Sequence, residues 1–166
     1  GVLTGFPCDM GFLKTIGTGS AETLCLTDQA LEFASLPNLV LDQRTGNLPL
    51  SEEEVSYLLG HIATSMPGEA SHMREITRFI GNGIDDPGGL DGALAAFYTQ
   101  EYKADSSDKA RSLMRSGCIS RLVEMGILIR TNIEGRRIYS LVDTRMGQME
   151  SIFGRNESVR LGKGGT

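Results

Sequence analysis

The stretch that decides the fold runs from Ile119 to Arg130 and reads ISRLVEMGILIR. Its first half places apolar residues, among them Ile119, Leu122 and Val123, at helical spacing. Its second half, after Gly126, is a short apolar run of the kind that forms a strand. A glycine at this junction ends a helix in a left-handed conformation that a side chain would resist. The stretch therefore predicts a helix that passes directly into a β-strand.

A β-hairpin is predicted to follow from this junction. The first strand covers residues 127–131, and the returning strand covers 137–142. Between them, Asn132–Gly135 has the composition of a turn. The change from helical spacing to short apolar runs separates the hairpin from the helices before it.

Four helices are predicted before this hairpin and one after it. Ser51 and Glu54 match a capping box, in which the two side chains bond to each other's backbone N–H. Met66-Pro67-Gly68 is predicted to end the first helix, and Gly81–Gly89 is predicted to be a loop. The predicted helices cover residues 51–65, 69–80, 90–103, about 107–125 and 143–153.

An earlier segment repeats this order of elements. Asp9-Met10-Gly11-Phe12-Leu13 resembles Glu124-Met125-Gly126-Ile127-Leu128, since each is an acid, Met, Gly and two apolar residues. A hairpin and a capped helix follow each copy, and in the first copy the strands are 12–16 and 23–27 and the helix is 28–34. The alternative is a chance similarity between two hairpins. A true repeat predicts that the helices of the first copy precede Gly1, so that the chain is a fragment.

Charge is unevenly distributed along the 166 residues, which carry 16 basic and 21 acidic side chains for a net charge of −5. Residues 1–102 hold 4 basic and 14 acidic side chains, whereas residues 103–166 hold 12 and 7. A basic cluster in the last third favours a polyanion as partner, and the alternative is a solvated face without one. The cluster consists of Lys109, Arg111, Arg115, Arg121, Arg130, Arg136 and Arg137.

Several classes of protein are excluded by composition. No apolar run approaches the roughly 20 residues that a membrane-spanning helix needs, and no charged leader precedes an apolar stretch. Cys8, Cys25 and Cys118 are far apart, which favours reduced thiols in a cytoplasm over a disulfide framework. His61 and His72 lack the spacing of two ligands on one helical face, so both are expected to be ordinary polar helix residues and no metal site is predicted.

Catalytic patterns are present only as fragments. Asp86, Glu101 and Lys103 follow the order of acidic residues and lysine in many metal-dependent nucleases, but the pattern puts them on a loop and a helix rather than on adjacent strand ends. Gly162-Lys163 and Gly17-Thr18-Gly19 lack the strand and helix context of nucleotide-binding loops. We therefore expect no catalytic residues, no cofactor and no enzymatic activity in this chain, although a parent protein can carry a catalytic domain elsewhere.

Three helices followed by a hairpin resemble a winged-helix (winged helix-turn-helix) DNA-binding domain. Residues 119–130 are similar to a recognition helix running into the wing, and Glu134-Gly135-Arg136-Arg137 resembles a wing tip. The resemblance implies an α+β, mostly α fold in which one helix enters the major groove and the wing touches the backbone or minor groove. It predicts part of a first unit at 1–35, a linker at 36–50, a second unit at 51–153 and a flexible tail at 154–166.

The family implies a function in binding double-stranded DNA. Tandem winged helices occur in prokaryotic transcriptional regulators and in the recognition half of type IIS restriction endonucleases, and Ser106-Ser107-Asp108-Lys109 resembles the latter. We expect a sequence-specific, cytoplasmic, nucleoid-associated module. The alternative is a winged helix that contacts another protein, or a second copy of itself, through its acidic front part. The expected DNA contacts are Lys109, Arg111, Ser112, Arg115, Ser116, Arg130, Arg136 and Arg137.

Overall fold

The computed structural model describes residues 6–17, 22–38, 42, 50–102 and 107–154. It confirms an α+β, mostly helical chain with two antiparallel two-stranded sheets. Contacts divide the chain into two compact units, Gly1–Met66 and Pro67–Thr166. The predicted tail beyond Gly154, most of the predicted linker and residues 18–21 between the first two strands lie outside the described residues.

The first unit contains a hairpin between short helices. The predicted pairing of its strands is confirmed, with Leu13 opposite Leu26 and Ile16 opposite Thr23. A four-residue helix before the hairpin was not predicted, since four residues are too few to show a periodic pattern. The elements are α1 (Phe6–Asp9), β1 (Leu13–Ile16), β2 (Thr23–Leu26), α2 (Asp28–Ala34) and α3 (Glu52–Ser65).

Helix α3 begins with the predicted capping box. The Ser51 hydroxyl accepts the Glu54 N–H at 3.0 Å, and the Glu54 carboxylate accepts the Ser51 N–H at 2.7 Å. Two N–H groups that a helix start leaves unpaired are thereby satisfied. The sequence pattern grouped this helix with the later ones, whereas its contacts place it in the first unit.

Aromatic rings form part of the packing of the first unit. Phe12 stacks on Phe33 with ring centroids 5.3 Å apart, and Tyr57 lies 5.8 Å from Phe33. The His61 Nε2–H donates to the Met10 carbonyl at 2.7 Å. Helix α3 is therefore held to the chain between α1 and β1 by a hydrogen bond as well as by ring packing.

The second unit is a set of three helices, a hairpin and a last helix. Helix α4 contacts α5, α6 and β4, and α6 also contacts β3. Buried side chains recur at helical spacing on α5, at Leu90, Leu94 and Tyr98. The elements are α4 (Pro67–Gly81), α5 (Pro87–Tyr102), α6 (Asp108–Glu124), β3 (Leu128–Ile133), β4 (Arg136–Leu141) and α7 (Asp143–Phe153).

Two helices of this unit begin earlier than predicted, each at a proline. Pro67 and Pro87 were expected in a break and in a loop, but each is the first residue of a helix. Proline suits this position because its fixed φ is helical and the missing N–H would be unpaired there anyway. The Asp86 carboxylate caps α5 by accepting the N–H groups of Gly88 and Gly89 at 3.0 and 3.1 Å.

The second hairpin is longer and its turn tighter than predicted. The pairing of its strands is confirmed, but Asn132 and Ile133 continue β3, opposite Arg137 and Arg136. Only two residues remain in the turn, and both have positive φ, at 50° and 80°. Such a two-residue turn matches the twist of the strands that it joins. The predicted turn Asn132–Gly135 is therefore wrong in its first two residues.

Gly126 turns the end of α6 into β3. Its φ is +69°, its N–H donates to the Val123 carbonyl at 3.0 Å, and the Ile127 N–H donates to the Leu122 carbonyl at 2.9 Å. This is the Schellman pattern of a helix end, which satisfies carbonyls that the helix leaves unpaired. It places Ile127 and Leu128 in the core, where they are 0% and 2% exposed.

The first hairpin is entered in the same way. Gly11 has φ +66°, its N–H donates to the Cys8 carbonyl at 2.9 Å, and the Phe12 N–H donates to the Pro7 carbonyl at 2.8 Å. The open ends of the two hairpins are also joined in the same way. The Thr27 N–H donates to the Phe12 carbonyl at 3.0 Å, and the Val142 N–H donates to the Ile127 carbonyl at 3.0 Å. The repeated sequence motif therefore has the same local geometry at both places.

None of the helices in the described ranges combines the length and apolar composition that a membrane span requires.

Gly126→Ala is expected to lower the free energy of unfolding by about 1–2 kcal/mol, because a side chain disfavours the left-handed conformation. The matched control is Gly117→Ala within α6, where the added methyl meets nothing nearer than 3.6 Å. That change should raise stability by about 0.5–1 kcal/mol, since alanine is the better helix former. Urea unfolding followed by circular dichroism measures both, and equal stability of the two variants would contradict the role of the glycine.

Candidate functional site

Three expected DNA contacts lie on the second hairpin and are exposed: Arg130, Arg136 and Arg137. The register puts Arg130 and Arg137 on the side of the hairpin that also carries the buried Leu128 and Tyr139. Arg136 lies on the other side, because it is adjacent to Arg137 in an extended strand. Two of the three cations therefore share the side of the hairpin that packs on the helices.

None of these three arginines forms an ion pair with a carboxylate of the described residues. The turn between the strands adds one acidic side chain, Glu134, which is exposed. The hairpin itself carries three guanidinium groups and one carboxylate, and Asp85 and Asp86 line a cavity together with Arg136 and Arg137. An exposed arginine presents a planar fork of donors that matches a phosphate.

Helix α6 carries the other expected contacts. Ser107 caps the helix by accepting the Ala110 N–H at 3.3 Å. Lys109 and Ser116 are exposed, and Ser112 is half-buried. Arg111 is also half-buried, and it forms an ion pair with Asp108 one turn earlier.

The exposed stripe of α6 is less basic than the sequence suggested. Leu113 is 64% exposed and lies between Lys109 and Ser116 at helical spacing. Among the described residues of this stripe, Lys109 is the one cation. The stripe offers the expected lysine and serine hydroxyls together with a leucine, but not the two arginines, Arg111 and Arg115, that were expected beside them.

Arg115 does not lie on this stripe. It is buried, its Nη1 donates to the Pro87 carbonyl at 2.5 Å, and its Nη2 reaches Ser112 Oγ at 3.3 Å. It also forms an ion pair with Asp91, although the facing carboxylate oxygen lacks hydrogen-bond alignment. Arg115 thus ties α6 to the start of α5, and the structure gives it a packing role instead of an exposed one.

Arg115→Gln is expected to lower the free energy of unfolding by about 1–3 kcal/mol, because it removes a buried guanidinium that pairs with Asp91 and donates to the Pro87 carbonyl. Arg111→Gln, one turn earlier, should change the free energy of unfolding by less than about 0.5 kcal/mol, because its ion-pair partner Asp108 is exposed. Chemical denaturation of both variants and the parent measures the difference. Equal small effects would mean that Arg115 is not needed for packing.

A polar cluster is buried between α4 and α6. Glu69 and His72 lie one turn apart on α4, and Cys118 reaches them from α6. One potential metal-ligating atom from each of the three residues lies within 4.8 Å of the other two. Arg121 pairs with Glu69, with Nε at 2.8 Å and Nη2 at 2.5 Å from the same carboxylate oxygen.

His72 was expected to be an ordinary polar helix residue, and this prediction is wrong. Its side chain is 1% exposed, and its Nε2 shares a hydrogen bond of 2.8 Å with the Tyr98 hydroxyl. Spacing along the chain could not show this, because Cys118 and Tyr98 meet His72 only through packing of separate helices. The one sequence signal is the stripe on α4, where His72 precedes the buried Met73 and Ile76.

Burial shapes the protonation of this cluster. Desolvation, and then the charge of Arg121, lower the pKa of His72 from 6.5 to about 4. Desolvation, and then the charge of Glu69, raise the pKa of Cys118 well above its ordinary value. At neutral pH the cluster therefore holds a neutral imidazole and a neutral thiol beside one ion pair.

Two of the nuclease-like residues are held apart. Asp86 caps the start of α5 and Glu101 lies in its last turn. Fifteen residues of helix separate them by about 22 Å, at 1.5 Å per residue. These two carboxylates cannot share one metal ion, and Lys103 lies outside the described residues.

Comparison with other proteins adds nothing to this geometry, because no family model, curated protein or solved structure has a significant match to the chain.

The parent protein is expected to lose stability as the pH falls from 6.5 to 4. The unfolded chain binds a proton at His72 near pH 6.5, whereas the folded chain resists it until about pH 4. The contribution of the neutral His72 side chain to the free energy of unfolding is complete above pH 6.5. Its loss by pH 4 lowers that free energy by up to about 3 kcal/mol. His72→Gln should remove this part of the pH dependence.

The matched control is His61→Gln, which removes the other histidine and keeps His72. Urea unfolding at a series of pH values compares the three proteins. A slope between pH 6.5 and 4 that is the same in all three would show that His72 is not the source.

Proposed function

We propose that the second unit is a winged-helix module that binds double-stranded DNA. The observation that carries the proposal is the order of helices α4, α5 and α6 followed by the β3–β4 hairpin, with three exposed arginines on that hairpin. The Tyr139 N–H also donates to the Asp85 carbonyl at 2.9 Å. This bond joins the hairpin to the segment before α5, which supports treating the hairpin as part of a three-helix domain.

The proposed contacts divide into two groups. Arg130 and Arg137 lie on the helix-packing side of the hairpin, so a duplex lying along α6 would meet them first. They would bind phosphates, which fix position without reading sequence. On α6, Lys109, Ser112 and Ser116 would face the major groove, where serine hydroxyls can bond to base edges.

Three expected contacts take smaller roles or none in this proposal. Arg115 is left out, because it is buried against Pro87 and Asp91. Arg111 must share its guanidinium with Asp108. Arg136 would reach the DNA backbone only on the side of the hairpin opposite Arg130 and Arg137. The proposed DNA contacts involve neither a cofactor nor catalysis.

The first unit supports the proposal of tandem copies. Leu13 lies opposite Leu26 in the first hairpin, and Leu128 lies opposite Leu141 in the second. Each residue of the second pair is 115 positions after its counterpart in the first. The glycine turns and the closing hydrogen bonds also correspond. The first hairpin lacks the arginines of the second, so we assign DNA contact to the second unit. Tandem modules of this kind suit a regulator or the recognition half of a restriction enzyme.

A second candidate function is contact with another protein. Leu113, Ile129 and Ile133 are large apolar side chains that are 64%, 52% and 51% exposed. Ile129 and Ile133 share one side of the hairpin with Arg136. Exposed apolar residues that share a surface are typical of protein interfaces. This candidate predicts association that strengthens, rather than weakens, as salt is added.

Duplex DNA is expected to bind with an affinity that falls as salt rises, with about 0.9 units of log–log slope for each phosphate contact. Arg137→Gln should flatten that slope by about one unit, and the Arg130→Gln/Arg137→Gln pair by about two. Fluorescence anisotropy of labelled duplexes at several salt concentrations gives the slopes.

Lys14→Gln is the matched control, since it removes one exposed positive charge from the first unit. It should leave the slope unchanged, and Arg136→Gln should flatten it less than Arg137→Gln. Failure of the parent to bind duplex at low salt would overturn DNA binding. Equal slopes for Lys14→Gln and Arg137→Gln would overturn the assignment to the hairpin.

A further inference from the structure

The buried cluster between α4 and α6 has the composition of a metal site. Its three residues offer a carboxylate oxygen, an imidazole nitrogen and a sulfur, which are the donors that Zn²⁺ uses in proteins. Tetrahedral zinc holds its ligands about 3.6 Å apart, so atoms that already lie within 4.8 Å need side-chain shifts of only about 1 Å. We propose that Glu69, His72 and Cys118 bind one Zn²⁺ ion and thereby link α4 to α6.

The groups around the cluster are placed as outer partners of such a site. Tyr98 bonds to His72 Nε2, which leaves Nδ1 as the ring nitrogen available to a metal. Arg121 bonds twice to one oxygen of Glu69, and the Cys118 thiol hydrogen-bonds to the same carboxylate, a bond that a zinc ion would replace by binding both groups. Ligating histidines and carboxylates in proteins are commonly held by such second hydrogen bonds.

The charges balance when the metal binds. Cys118 gives its proton to solvent and forms a sulfur–zinc bond, without any change of oxidation state. One thiolate and one carboxylate then offset the two positive charges of the ion, and the imidazole binds as a neutral ligand. The Arg121 guanidinium keeps its pairing with the outer oxygen of Glu69.

The site selects for the class of ion. A thiolate and an imidazole disfavour Mg²⁺ and Ca²⁺, which prefer oxygen ligands, and favour Zn²⁺ and similar softer ions. His72 and Cys118 are 1% and 0% exposed, so the ion would lie inside the unit. Three protein ligands leave the fourth position of a tetrahedral ion to a water molecule. The inference does not depend on DNA binding.

The test uses the full chain after removal of metal with a chelator, in a reductant that contains no thiol. Co²⁺ is the spectroscopic probe, because cobalt bound to a thiolate in tetrahedral geometry absorbs in the near ultraviolet and the visible. We expect saturation at one equivalent, displacement of cobalt by Zn²⁺ and not by Mg²⁺, and a rise in Tm with Zn²⁺.

Variants of the three cysteines distinguish the site. The Cys8→Ser/Cys25→Ser protein keeps only the Cys118 thiol, and it should give the full cobalt spectrum. Cys118→Ser should lose the thiolate absorption. His72→Gln should no longer saturate at one equivalent of Co²⁺. Tyr98→Phe removes an outer partner and should weaken Zn²⁺ binding about 10–100-fold.

The Cys8→Ser/Cys25→Ser protein decides the question even if Cys118→Ser does not fold. Absence of saturable cobalt–thiolate absorption in that protein would show that the cluster is a metal-free polar network and overturn the proposal. A spectrum of equal strength in Cys118→Ser would overturn it as well, because the metal would then be bound by another thiol.

Discussion

The left-handed exit at Gly126 is the constraint on which the second unit depends. At this exit, the N–H groups of Gly126 and Ile127 bond to carbonyls in the last turn of α6, and Ile127 and Leu128 lie in the core. Side chains alternate along a strand, so the buried Leu128 at the start of β3 fixes which side every later residue of that strand faces. A shift of one residue would exchange the side of Arg130 with that of Ile129. The placement of the hairpin cations therefore follows from the conformation of one glycine.

Elements with local signals could be predicted from the sequence, and elements that depend on neighbours could not. The Ser51–Glu54 capping box and the glycine exit are complete within a few residues, and both were found. Pro67 and Pro87 were taken as breaks, although proline also favours the first position of a helix. At Pro87 the choice depends on the Asp86 carboxylate turning back onto the next N–H groups.

The candidate site shows the same division. The hairpin that carries the arginines was predictable, but their exposure does not follow from alternation, because Arg130 and Arg137 share the side of the buried Leu128 and Tyr139. Arg115 was misplaced, because only the packing of α5 against α6 decides which face of α6 is covered. The burial of His72 beside Cys118 depends on two helices that are 46 positions apart in the chain, and no spacing rule reports such a meeting.

Composition overstates the charge available to a polyanion. Of the seven cations in the basic cluster, Arg115 and Arg121 are paired inside the unit with Asp91 and Glu69, and Arg111 is paired with Asp108. The remaining four are Lys109 and the three arginines of the hairpin. Positive charge is thus concentrated on the hairpin, while the exposed stripe of α6 is polar and apolar. Since phosphate contacts carry no sequence information, discrimination between DNA sequences would have to come from the hydroxyls and the leucine of α6, through base edges and thymine methyl groups.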